Sequence, residues 1–140
     1  MPVPVPTTVT FKAYASSQAA TAAVTVVPVA FPTVETASAS YNSLTGTFTV
    51  PTTGGYTFAA SLNYTVTAAG TATIKIIAGS TTIASVSLVA AAAGTFTVSI
   101  PAVLIIGILA GTTVTVSFLS TTAATINVSG SSSFTGLQTQ

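Results

Sequence analysis

Apolar and polar residues alternate along most of this chain. In residues 9–17, VTFKAYASS, one side carries Val9, Phe11, Ala13 and Ala15, and the other carries Thr10, Lys12, Tyr14 and Ser16. The segment GYTFAASLNYT repeats the pattern, with Tyr56, Phe58, Ala60, Leu62 and Tyr64 on a common side. A period of two is the signature of a half-buried strand. The same reading predicts strands in VTVVPVAF, TGTFTV, TATIKII, TTIASVSLV, TFTVSI, TTVTVSFLS, ATINV and SFTGL, about ten in all. Turn residues separate them, at 42–46, 51–55, 69–70, 79–80, 94, 111 and 130–133. VAAAAG, residues 89–94, is too short for a stable helix and reads as a loop. With no segment able to serve as a crossover helix, the pattern predicts an all-β, antiparallel two-sheet sandwich or barrel.

One stretch breaks the alternation. AVLIIGILA, residues 102–110, is apolar at consecutive positions between Pro101 and Gly111. It is far shorter than the roughly 20 residues of a membrane-spanning helix, and it has no basic or aromatic flanks. As a strand it needs cover on both faces. The opposite sheet supplies one cover, and a second subunit is expected to supply the other.

Composition strengthens that expectation. The 140 residues are 49% hydrophobic and only 2% charged, with a net charge of +1. The charged side chains are Lys12, Lys75 and Glu35. So little charge gives little colloidal repulsion, and assembly is the way to hide the surplus apolar surface. Lys75 is expected to point outward from its strand and discourage edge pairing. The length suits a single domain over residues 9–140, preceded by a Pro-rich linker or arm, MPVPVP and its neighbours, at residues 1–8.

The inventory for chemistry is short. The chain has no His, Cys or Asp and one Glu, which excludes a Ser-His-Asp arrangement, a carboxylate pair within one chain, a disulfide and a thiolate metal site. No catalytic, cofactor-binding or metal-binding residue is assigned, and the chain is expected not to be an enzyme. Two lysines cannot form a nucleic-acid-binding field. The sequons Asn63-Tyr64-Thr65 and Asn127-Val128-Ser129 are what so many Ser and Thr residues produce by chance.

The segment YNSLTGTFTVPTTGGYTF carries a more specific pattern: Tyr41-Asn42, Thr45-Gly46, Phe48-Thr49, Pro51, Gly54, Tyr56 and Phe58. It resembles the centre of the complement-type globular head, of the tumour necrosis factor-like superfamily of trimeric jelly rolls. FKAY (from Phe11) resembles that family's first strand, and SSFTG (from Ser132) its closing strand. LAGTTVTV (from Leu109) resembles its Leu-x-x-Gly-Asp-x-Val turn, with Thr112 where Asp is usual. The chain has no Asp, so the calcium role of some members is not carried over. The Thr, Ala and Val bias resembles the heads that cap collagen-like filaments on bacterial spores.

The resemblance implies a TNF-like jelly roll forming a compact homotrimer, extracellular or on a spore, cell or virion surface, without membrane insertion. Phe11, Phe48, Tyr56, Phe58, Leu62, Tyr64, Phe118 and Phe134 are the candidates for fold and trimer packing. Pro51, Gly54 and Gly111 are the turn candidates, Gly54 through its freedom to take positive φ. The leading expectation is a non-catalytic head that trimerises and caps a filament. The alternatives are a carbohydrate- or receptor-binding module on the same trimer, with Tyr14, Tyr41 and Asn42 as ligand contacts, and a viral or phage fibre head. A Val- and Thr-rich chain can also polymerise by strand addition.

Overall fold

The computed structural model describes residues 10–14, 18–20, 27–28, 31, 33–36, 40–43, 45–126 and 132–139. The expected 1–8 arm and the sequon at Asn127 lie outside them. Among the described residues there are thirteen strand segments and no helix: β1 (Thr10–Tyr14), β2 (Gln18–Ala20), β3 (Val27–Pro28), β4 (Thr33–Thr36), β5 (Tyr41–Asn42), β6 (Thr47–Thr49), β7 (Gly54–Val66), β8 (Gly70–Ala78), β9 (Thr81–Ala90), β10 (Gly94–Ile108), β11 (Thr113–Ser120), β12 (Ala124–Ile126) and β13 (Ser133–Gln138). They exceed the expected number because short stretches such as β3 and β5 stand as separate segments.

The strands form two antiparallel sheets. A seven-stranded sheet contains β2, β12, β7, β13, β1 and β4, with β10 along the other side of β7. A six-stranded sheet runs β5-β6-β11-β8-β9, with β3 on β11. In β7, alternation sends Tyr56, Phe58, Ala60, Leu62, Tyr64 and Val66 into the sandwich and leaves Thr57, Ala59, Ser61, Asn63 and Thr65 on the outside. β8 and β11 return the complementary row, Ala72, Ile74 and Ile76 with Val114, Val116 and Phe118. Each large apolar side chain so buried contributes about 1.5–3 kcal/mol.

One part of the core is aromatic. Phe11 lies between Tyr41 and Phe48 with ring centroids 4.9 and 4.7 Å away, and Phe134 meets its edge at 4.9 Å. This stack determines a residue on the neighbouring strand. Phe11 is opposite Gly136, where an added Cβ would run into the Phe11 ring. The glycine is there to make room for the ring, within a strand that otherwise alternates normally.

Two predicted strands fuse. TFTVSI and the apolar run form the single strand β10, which follows β7 from Gly94↔Val66 to Ile108↔Gly54. Register shifts between Ile100 and Val103 and between Ile105 and Ile108 absorb Pro101 and Gly107, the latter at φ 74°. A bulge leaves residues out of the ladder, so the proline's missing N–H breaks no rung.

One turn glycine, Gly54, differs from expectation. Gly54 opens β7 and is absent from the positive-φ residues, whereas Gly46 (φ 68°) and Gly111 (φ 89°) are among them. Gly46 closes the β5–β6 turn by donating to the Asn42 carbonyl at 2.9 Å. Gly111 donates to the Val50 carbonyl at 2.7 Å and ties the β10–β11 turn to the residue before Pro51.

Candidate interaction surface

All eight residues expected to serve fold and trimer packing, Phe11, Phe48, Tyr56, Phe58, Leu62, Tyr64, Phe118 and Phe134, are at most 1% exposed inside one protomer. They build the fold and have no surface to offer a neighbour. The correction follows from the pleat: if one face of β7 fills the sandwich, only the alternate residues can reach another chain.

Those alternate residues form a zoned face. Cross-strand register sets Leu104 of β10, Thr57 of β7, Leu137 of β13 and Thr10 of β1 in one row. Beside it, Ala102, Ala59, Thr135 and Lys12 line a depression of about 300 Å³ together with Thr10, Thr57 and Leu137 of the first row. Ile106 extends the apolar end. Ile106 is 70% exposed, Leu104 54% and Leu137 45%.

Toward the other end the same two strands carry polar rungs. Ser61 bonds Ser99 at 3.1 Å, the Asn63 amide donates to Thr97 at 3.0 Å, and Thr65 bonds Thr95 at 2.9 Å. The first sequon's asparagine is thus a mid-strand rung.

The ligand-contact candidates separate. Asn42 is exposed and Tyr14 half-buried, with the Lys12 ammonium 5.6 Å from the Tyr14 ring centroid. Tyr41 is 8% exposed and donates its hydroxyl to the Phe31 carbonyl at 2.8 Å. Its stacking on Phe11 occupies a ring face, so it is a core residue and not a ligand platform. Burial pushes the Tyr41 phenol's ionisation well above the usual tyrosine range, and that of Tyr64 also upward. The Tyr64 hydroxyl has no hydrogen-bond partner among the described residues.

Sequence reasoning missed Ser132. Its buried hydroxyl accepts from the Asn63 N–H at 2.8 Å and donates to the Asn63 carbonyl at 3.3 Å. This side chain supplies the rung where β12 has ended and β13 has not begun, a role that only the tertiary pairing creates.

Lys75 is also placed differently from expectation. It lies on β8, between β11 and β9, so it does not guard an edge. Among the described residues no group of three or more potential metal ligands occurs, and no helix is long and apolar enough to cross a membrane.

No family model matches the sequence, and no curated protein matches it. Solved structures do share its fold. The globular domain of a zebrafish complement 1qA protein aligns over 94% of this chain and 98% of its own, with TM-score 0.58 and 14% identity. The tumour necrosis factor Eiger from S. frugiperda aligns over 95% and 93%, with TM-score 0.67 and 11% identity. At such identities the likeness establishes the fold: this chain is an all-β jelly roll of the complement-head and tumour necrosis factor type.

Proposed function

We propose that the chain is a non-catalytic, homotrimeric globular head that registers three chains and caps a surface filament outside the cell, of the collagen-like kind. One observation carries the reading: the row of Leu104, Thr57 and Leu137, extended by Ile106, on the outer face of a sheet whose inner face is already packed. An apolar zone passing into a hydroxyl-covered one matches the apolar core and polar rim of a protein–protein contact. Three copies of a single patch close around a three-fold axis without leaving an open edge. The near absence of ionisable groups fits a structural role and leaves few side chains able to transfer a proton.

Light scattering at micromolar concentration is expected to give the mass of three chains, and a folded monomer would overturn the reading. The capping role has a separate test. Gly-Pro-Pro repeats fused ahead of the head are expected to melt as a triple helix at higher temperature than the free repeats, by circular dichroism. The gain is expected to disappear with an Ile106→Lys head. An equal melting temperature with and without the head would remove the capping role.

A further inference from the structure

Lys75 is one of only two lysines in the chain, and its place inside the six-stranded sheet gives it no edge to guard. Ile74 and Ile76 on either side of it fill the core, so Lys75 turns to the outer face, where it is half-buried. Register sets Ser117 of β11 directly opposite it on one side and Ser85 of β9 on the other. Residues directly opposite share a face, with Cα atoms about 4.5–5.5 Å apart. One ammonium therefore stands between two hydroxyls.

Ser117 is the unusual member of this row. Among the described residues the buried polar side chains are Ser117, Ser120 and Ser132. Ser120 accepts from the Thr122 N–H at 3.3 Å, and Ser132 bonds both backbone groups of Asn63. Ser117, 5% exposed, has no such bond to a described residue, and unlike the Tyr64 hydroxyl its own is not sealed from solvent. Buried polar groups are nearly always hydrogen-bonded. No described side chain pairs with Lys75 or Ser85 either, whereas in the next row Thr73 and Ser87 bond each other at 2.8 Å. The Lys75 row thus offers a cation and two hydroxyls that the protein itself leaves unused.

We propose that the row Ser117, Lys75 and Ser85 is a binding site for the carboxylate of an acidic polysaccharide. A carboxylate carries one negative charge, which one ammonium balances, and its two oxygens accept from Lys75 and from the adjacent Ser117 hydroxyl together. Ser85 and Thr115, on the same face, are left for hydroxyls of the sugar. A phosphate monoester, with close to two charges at neutral pH, would leave one of them unbalanced. The row lies on the open face of a sheet, which suits a group carried on an extended polymer better than a small molecule that needs a cleft. A single contact of this kind is weak, and a polymer that repeats the carboxylate strengthens it by engaging several protein chains at once. The three side chains belong to one protomer.

Surface plasmon resonance over immobilised polygalacturonate tests the site. Binding is expected at low salt and is expected to be lost by about 0.5 M NaCl. Lys75→Gln is expected to weaken it about tenfold or more, Ser117→Ala about threefold, and Lys75→Arg is expected to retain it. Lys75→Gln combined with Thr113→Lys restores the net charge of +1 at an exposed position of β11, about 13 Å along the strand from Ser117, and is expected not to restore binding. Free galacturonate is expected to compete only at far higher concentration than the polymer, and dextran not at all. Binding rescued by Thr113→Lys would show that net charge alone is read and would overturn the proposal. Absent binding to polygalacturonate would also overturn it, and so would equal binding to dextran or to polyglutamate. Light scattering on each variant reports the assembled mass separately, so failure of the trimer reading and failure of this one are distinguishable.

Discussion

On the outer face of the seven-stranded sheet, Leu104, Thr57 and Leu137 share a row; on the six-stranded sheet the row across its centre is Ser117, Lys75 and Ser85. Both faces come from the same alternation, and both back onto the same core. The first ends in exposed leucine and isoleucine; the second ends in exposed Ser85 and half-buried Lys75, beside a Ser117 that is itself buried. Alternation decides which residues turn outward. The identity of those residues decides whether water is an adequate neighbour, and for the Leu104 row it is a poor one.

The widest separation between the faces should come from a charge. Ile106→Lys places three ammoniums in the proposed contact, each carrying an effective desolvation penalty of several kcal/mol. Sedimentation velocity is expected to show the assembly reduced to single chains with the fold retained. Thr113→Lys, on the other sheet, is expected to leave the assembled mass unchanged. Equal effects from the two would erase the distinction between the faces.

Phe58→Ala calibrates the core that the faces share. It is expected to cost about 3–5 kcal/mol of protomer stability in denaturant titration, an effect of a different kind from that of Ile106→Lys.

Two strand glycines sharpen the contrast between the sheets. Gly136→Ala drives a methyl into the Phe11 ring, which is held by its neighbours on both faces, and is expected to cost about 1–3 kcal/mol. Gly70→Ala meets the side chains of exposed Thr121 and half-buried Thr122, both in the turn after β11 and both able to shift. Its cost is expected to be about 1 kcal/mol, from the lost Thr71 N–H to Thr121 bond.

The smallest effects concern two buried phenols. Tyr41→Phe leaves the Phe31 carbonyl without its donor and is expected to cost about 1–2 kcal/mol, whereas Tyr64→Phe removes an unpartnered hydroxyl and is expected to be neutral or slightly stabilising. Both phenols have raised ionisation in the fold, so the native state holds their protons more tightly than the unfolded chain. Their contribution is fully present below the unfolded value of about 10 and is lost as pH rises beyond it. Denaturant midpoints are expected to fall only above about pH 10, and the fall should be shallower in Tyr41→Phe.

Much of this was legible in the residues themselves. The alternation in GYTFAASLNYT predicts the inward row of β7 residue by residue, and the consecutive apolar run predicts a strand in need of a second cover. The motif from Tyr41 to Phe58 points to the jelly roll. Tyr41 itself was misplaced among ligand contacts because a tyrosine at a strand end reads the same whether its hydroxyl meets water or the Phe31 carbonyl. Gly54 was misread because glycine's freedom is a permission, and the turns that use it lie at Gly46, Gly79 and Gly111.

The sequence alone determined the strands, their inward faces and the poverty of chemistry, because a period of two and a residue inventory are local properties. Which strands became edges, which outward residues fell into one row, and which hydroxyl filled the gap between β12 and β13 were decided by the tertiary structure. Register and sheet order arise from contacts between residues far apart in the chain, and no local pattern encodes them. The exposed Leu104 row belongs to that second class.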